Sequence, residues 1–289
     1  MTATTVRTPT VASSREELSV ARANLTGSVA VVMTMGALHE GHAALMREAR
    51  SAADAVIVTI FVNPLQFGAG EDLDRYPRTF DADLAICARE GVDLVFAPTP
   101  DVVYPQDPIV RVSAGAMGEH YEGAVRPGHF DGVLTVVCKL LHLTAADTAY
   151  FGAKDAQQLA LIKRMVGDLD LPVSVIGVAT VREDDGLALS SRNVYLSADE
   201  RDGALAISRA LRAGAAEQDK GVEAVLAAAH GVLAGEGRLE VDYLDLVDPA
   251  DFRPARAGQT CSALLITAVR AGGTRLIDNC EITLPEGKR

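Results

Sequence analysis

The sequence predicts an α/β fold: a doubly wound parallel sheet followed by a smaller α+β domain. Three observations carry that expectation. The first half alternates continuous apolar runs with helix-like stretches. Those runs lack the polar alternation of a strand with one wet face, so they read as parallel strands buried on both sides. After about residue 181 the pattern changes to two Ala-rich helices and then three strands.

Residues 1–14 are rich in Thr, Ser and Ala and are expected to form a loose tail. Ser28–Met33 is the first strand, and a tight turn leads from it into a helix over 41–53. Ala55–Val62 is the second strand. A helix over 79–90 sets Leu84, Cys87 and Ala88 on one face, and Asp93–Ala97 is the third strand, ended by Pro98. A helix near 132–143, a strand at 148–151, a helix at 155–168 and a strand at 173–179 follow. Such alternation requires right-handed crossovers, hence a Rossmann-like sheet with ligands beyond the carboxyl ends of its strands. The boundary is expected at 180/181, giving domains 1–180 and 181–289. In the second, helices cover 197–216 and 219–234, with Val222, Val225, Leu226, Ala229 and Leu233 at helical spacing. Strands Val241–Val247, Ser262–Ala271 and Arg275–Ile282 complete it, and Ala271-Gly272-Gly273-Thr274 is a hairpin turn.

The chain of 289 residues is long enough for a sizeable core, and 48% of it is hydrophobic. Lys+Arg 27 against Asp+Glu 39 leaves a net charge of −12. That balance argues against a nucleic-acid partner. No apolar run reaches the roughly 18 residues of a membrane span, and no signal peptide is seen, so the expected location is the cytoplasm. Cys87, Cys138, Cys261 and Cys280 are scattered without a C-x-x-C pair. They are expected to be reduced thiols, neither metal ligands nor disulfides.

The chemistry is concentrated in Met33-Thr34-Met35-Gly36-Ala37-Leu38-His39-Glu40-Gly41-His42. A strand, a Gly-bearing turn and a helix start form an anion site, because the first N–H groups of a helix are free and its dipole favours phosphate. Gly41 permits close approach. Two imidazoles spaced H-x-G-H can donate to charge developing on a phosphoryl group. The plainer alternative is that His39 and His42 only cap the helix. Two further polar loops follow: Gly152-Ala153-Lys154-Asp155 after a short strand, and Leu189-Ser190-Ser191-Arg192-Asn193.

An H-x-G-H turn with a later Ser/Lys/Arg loop is the layout of the adenylyl-transferring superfamily that includes class I aminoacyl-tRNA synthetases. Within it, the chain closely resembles the pantoate–β-alanine ligase (pantothenate synthetase) family. The matching stretches are TMGALHEGH at 34–42, IFVNPLQF at 60–67, YPRT at 76–79, RPGHFDGV at 126–133 and YFGAKDAQQL at 150–159. TVRE at 180–183, LALSSRN at 187–193, VDYLDLVD at 241–248 and TRLIDN at 274–279 match too. Each is weak alone; together, in order, they are specific.

The resemblance implies an enzyme that joins pantoate to β-alanine through a pantoyl adenylate, releasing AMP and pyrophosphate. ATP enters with Mg2+ as co-substrate, without a tightly bound organic cofactor, and the metal ligands stay unassigned. It implies a homodimer without membrane or nucleic-acid partners. By the same resemblance His42, His39, Lys154 and Arg192 are catalytic. Met35, Gly36, Ala37, Leu38, Glu40 and Gly41 join them around ATP, with Gly152, Ala153, Asp155, Val181, Leu189, Ser190 and Ser191. Gln66 and Gln158 hold pantoate, and Asn63, Tyr76 and His129 line its pocket.

Four positions depart from the family pattern. Met33 stands for the usual Pro, Ala153 for Glu, Ala156 for an aromatic residue and Leu189 for Met. Ala153 removes a carboxylate beside Lys154. A paralogous adenylate-forming ligase with another acid or amine is therefore one alternative, and a nucleotidylyltransferase is another. A non-catalytic nucleotide sensor is a third, but mere binding would not demand both histidines, Lys154 and Arg192.

Overall fold

The computed structural model describes residues 8–68, 73–256 and 262–285. Its elements are β1 (Thr10–Ala12), α1 (Arg15–Ala23), β2 (Val29–Thr34), α2 (Glu40–Ala52), β3 (Ala55–Ile60), α3 (Phe80–Arg89), β4 (Leu94–Phe96) and two short helices, α4 (Pro100–Val103) and α5 (Glu122–Val125). Then come α6 (His129–Thr144), β5 (Thr148–Gly152), α7 (Ala156–Asp168), β6 (Ser174–Val178), α8 (Ala198–Ala216), α9 (Val222–Ala234), β7 (Leu239–Val247), β8 (Ser262–Ala271) and β9 (Thr274–Thr283). The architecture is the expected one: a six-stranded sheet and a separate three-stranded sheet.

The chain divides into two compact units, one of residues 1–153 and 161–178, the other of 154–160 and 179–289. In the first, strand order is β1-β4-β3-β2-β5-β6 and every pairing is parallel. Val29–Val32 and Val56–Val58 are fully buried, as continuous apolar runs require. The order reverses at β2, whose neighbours are β3 and β5. The loops leaving the carboxyl ends of β2 and β5 therefore flank the switch point, where such sheets bind ligands.

The loose tail needs correction. Thr10-Val11-Ala12 pair in register with Leu94-Val95-Phe96, and Ala12 is buried. Ser14 then caps α1 in a capping box with Glu17. The Ser-x-x-Glu spacing is itself a helix-start signal. Residues 1–7 and Cys261 lie outside the described residues; Cys87, Cys138 and Cys280 are free thiols.

In the second unit β7-β8-β9 form an antiparallel sheet. Ile207, Leu211, Val225, Ala229 and Leu233 of α8 and α9 pack with Leu246, Leu265, Val269 and Ile282 of the sheet. Ala271 pairs directly with Thr274, so Gly272-Gly273 is the two-residue turn expected. The helix expected at 219 starts at Val222, because Gly221, at φ +90°, separates it from a 3-10 turn at Gln218–Lys220.

Candidate active site

The turn after β2 is held from below. The Thr34 hydroxyl donates to the Thr59 carbonyl at 2.7 Å and accepts from the Gly36 amide at 3.3 Å. Gly36 and Ala37 are both left-handed, at φ +86° and +51°. For alanine that conformation costs about 1–2 kcal/mol. Asp83 of α3 offsets it. The Asp83 carboxylate accepts from the Ala37 and Leu38 amides at 3.1 and 2.8 Å and from the Thr79 hydroxyl at 3.1 Å. It is 2% exposed. A side chain at position 36 would press on it, since a Cβ there would lie 3.1 Å from an Asp83 oxygen. Asp83 was missed in the sequence, where nothing near 83 marks it as a partner of residues 37 and 38.

The helix start departs from the expectation of free N–H groups. His39 is the N-cap of α2, and its Nδ1 accepts from the Gly41 amide at 3.1 Å. His42 Nδ1 accepts from the His39 amide at 3.3 Å. The two imidazoles thus form a reciprocal capping box, with ring centroids 4.2 Å apart. Capping and phosphate chemistry are compatible. A ring nitrogen that accepts an N–H bond carries no proton, so each neutral ring bears its proton on Nε2. The cap makes each Nε2 a donor. Glu40, expected beside ATP, is exposed and pairs with Arg47 and with Arg89. The Arg47 hydrogen bond holds its carboxyl below the usual range.

The residues expected around pantoate separate into two groups. Asn63 is buried, and its amide donates to the Gly132 carbonyl and to Gln66 Oε1, each at 3.1 Å. Its oxygen accepts from the Tyr104 hydroxyl at 2.9 Å. Gln66 Nε2 lies 3.2 Å from the Met35 sulfur. His129 Nε2 faces the Arg126 guanidinium at 3.0 Å, an obligate donor, so its Nδ1 donates to the Gln66 carbonyl at 2.9 Å. Met35, Asn63, Gln66 and His129 therefore form one connected set, with Asn63 and His129 bracing Gln66. Close approach of α6 requires Gly132, whose Cβ would meet the Leu65 carbonyl oxygen at 2.2 Å. Tyr76 packs edge-on against Phe67. Gln158 lies on the first turn of α7 and belongs to the second unit. Tyr104 and Arg126 were not singled out from sequence, although Arg126 stands inside a motif quoted above.

In the second unit, Lys154 and Asp155 precede α7, and the Asp155 carbonyl accepts from Leu159. Burial holds the Lys154 ammonium below its usual range, Asp155 and Asp278 push it back up, and Arg192 and Arg182 oppose them. Val181 accepts from the Leu189 amide at 2.9 Å, closing a hairpin that delivers Ser190. The Ser190 hydroxyl caps the 3-10 turn Ser191–Tyr195, accepting from the Arg192 amide at 3.3 Å, and keeps its own proton to donate. Ser191 and Arg192 are exposed. Gly152 ends β5 in the first unit and Ala153 follows it; the Ala153 amide donates to the Val178 carbonyl at 2.8 Å.

Fold and turn together define a Rossmann-like α/β protein with an H-x-G-H turn at the switch point of its parallel sheet. The sequence profile of the family described as pantoate–β-alanine ligase matches residues 7–281. A pantothenate synthetase of Frankia alni is 63% identical over 89% of this chain and 83% of its own length. One from Salinispora arenicola is 58% identical over 93% and 96%. The crystal structure of pantothenate synthetase from Thermus thermophilus superposes with a TM-score of 0.87 at 46% identity, covering 96% of this chain and 100% of that one. A pantoate–β-alanine ligase structure from Francisella tularensis, complexed with β-γ ATP and β-alanine, gives 0.76 at 33% identity, covering 94% and 97%. The chain belongs to the pantoate–β-alanine ligase family. As a member it is a ligase that condenses pantoate with β-alanine at the expense of ATP.

Proposed function

We propose that the condensation runs through a pantoyl adenylate and that the residues above divide the work as follows. A pantoate carboxylate oxygen attacks the α-phosphorus of ATP, the bond to the bridging oxygen breaks, and pyrophosphate leaves. The β-alanine amine then attacks the acyl carbon, loses a proton, and AMP departs. No protein nucleophile is required; alignment and charge stabilisation suffice.

The observation that carries this reading is the histidine capping box, which fixes both Nε2 atoms as donors. His39 and His42 donate to the α-phosphate as charge builds on it. Lys154 and Arg192 hold the phosphates, and the Ser190 and Ser191 hydroxyls add donors. Asp155 and Gly152 take the ribose side and Val181 the adenine. Met35–Gly41 shape the turn, although the amides of Ala37 and Leu38 serve Asp83 and the amide of Gly41 serves His39. Gln66 and Gln158 hold pantoate. ATP enters with Mg2+. Among the described residues no group of three His, Cys, Asp or Glu side chains is placed to hold a metal. Phosphate oxygens and water are its ordinary ligands. The enzyme acts in the cytoplasm as a homodimer. The purified chain with ATP, Mg2+, pantoate and β-alanine is expected to form AMP and the amide in equal amounts. A dinucleotide product would instead identify a nucleotidylyltransferase.

Two predictions arise here. Gln66→Ala is expected to weaken pantoate use about ten- to a hundredfold, the cost of a lost bond to a charged oxygen, with little effect on ATP use. Steady-state kcat/KM for each substrate measures it, and an equal loss for ATP would remove Gln66 from the acid site. Ala153→Glu is expected to hold or raise the adenylation rate with substrate preference unchanged. A carboxylate beside Lys154 favours its ammonium form. Depressed activity, with pantoate used worse than an analogue, would instead mark position 153 as tuned for another acid.

A further inference from the structure

The two cationic loops of the second unit hang from one dipeptide in β9. The Asn279 amide donates to the Lys154 carbonyl at 2.9 Å. Its neighbour Asp278, 4% exposed, takes Arg182 in a two-pronged pair at 2.6 and 3.0 Å. Asp278 also accepts from the Asn279 backbone N–H at 2.8 Å, which holds its carboxylate against β9. Arg182 reaches on to the Gly186 carbonyl at 3.2 Å and bridges to Ala188 across the hairpin that ends at Ser190. Strand β9 is a rigid support: it pairs with β8 over its whole length, and its Leu276 and Ile282 enter the core.

We infer that Asp278 and Asn279 are positioning residues for the phosphate chemistry, setting Lys154 through its backbone and the Ser190–Arg192 loop through Arg182. This rests on the assignment of Lys154 and Arg192 to the phosphates. The physical reason is that a long flexible lysine stabilises a transition state only if its backbone is fixed, because a misplacement of about 1 Å can cost a hundredfold in rate. Buried, bidentate and charge-assisted bonds are the ones that hold a loop so firmly. The carboxylates that favour the Lys154 ammonium are Asp155 first and then Asp278 of β9, opposed by Arg192 and Arg182.

The test is single-turnover adenylation with ATP, Mg2+ and pantoate, across pH, for Asn279→Ala, Asp278→Asn and the control Asp242→Asn. Asp242 joins Arg270 and Arg275 on the same small sheet and touches neither loop. Asn279→Ala is expected to slow adenylation about ten- to a hundredfold while KM for pantoate stays within about twofold. Its alkaline limit stays in place because no charge is lost. Asp278→Asn is expected to slow the step and also to move the alkaline limit to lower pH, since the ammonium of Lys154 loses a counter-charge. Asp242→Asn changes neither. If Asp278→Asn does not fold, Asp278→Asn with Arg182→Gln removes both charges of the pair and is read in the same way, for rate alone. Adenylation within about twofold of the parent in the folded Asn279 and Asp278 variants overturns the inference. Lys154→Ala and Arg192→Ala run beside them: if those are inert, the assignment of the cations fails; if they are crippling while the β9 variants are normal, only the inference fails.

Discussion

His42→Ala and Lys154→Ala are each expected to lower the rate of acyl-adenylate formation by about a hundredfold or more. That corresponds to about 2.7 kcal/mol of transition-state stabilisation, the range found when a preorganised donor to a developing oxyanion is removed. The two residues reach this effect by different routes. His42 loses the Nε2 donor and also the acceptor for the His39 amide, so part of its cost falls on the α2 cap, about 1 kcal/mol of stability. Lys154 loses an amine whose ammonium form burial disfavours and Asp155 and Asp278 favour. Rapid-quench measurement of pantoyl adenylate, with stability followed in parallel, separates the two contributions. Near-parental single-turnover formation in either variant would refute its role.

Asp83→Ala is expected to destabilise the first unit by about 2–4 kcal/mol, because the Ala37 and Leu38 amides lose their buried acceptor. The strained left-handed Ala37 then has nothing to hold it. Asp83→Asn, of equal size, keeps one acceptor but turns an N–H donor toward the second amide. It is expected to fold and to slow adenylation about tenfold, since His39 directly follows the displaced turn. Urea unfolding tests the first statement and single-turnover kinetics the second. An Asp83→Ala variant as stable as its parent would show that the carboxylate is a passenger beneath the turn.

Much of the fold was legible because its signals are local. Val29–Val32 and Val56–Val58 carry no polar alternation, and a strand with that pattern has to be covered on both faces. Gly272, at φ +54°, supplies the left-handed backbone that a tight hairpin requires. Strand β1 escaped notice because three residues carry no period, and its existence depends on Leu94–Phe96, which are distant in sequence. The same contrast holds in the site. His39, His42, Lys154 and Arg192 stand out by residue type and spacing. Asp83, Asp278 and Asn279 do not, since a carboxylate or amide side chain on a helix or strand is ordinarily solvated.

By itself, then, the sequence determined the α/β class, the order of the main elements from Val29 onward and the residues whose chemistry suits phosphate and carboxylate. Those properties follow from periodicity and from functional groups, which each short segment carries with it. Only the tertiary structure decided which atoms of those groups are committed. It turned the imidazole Nδ1 atoms inward to the Gly41 and His39 amides, gave two turn amides to a buried Asp83, and set Asn63 and His129 to brace Gln66. Hydrogen-bond partners are fixed by approach in three dimensions, and a buried polar group must find one whatever its distance along the chain.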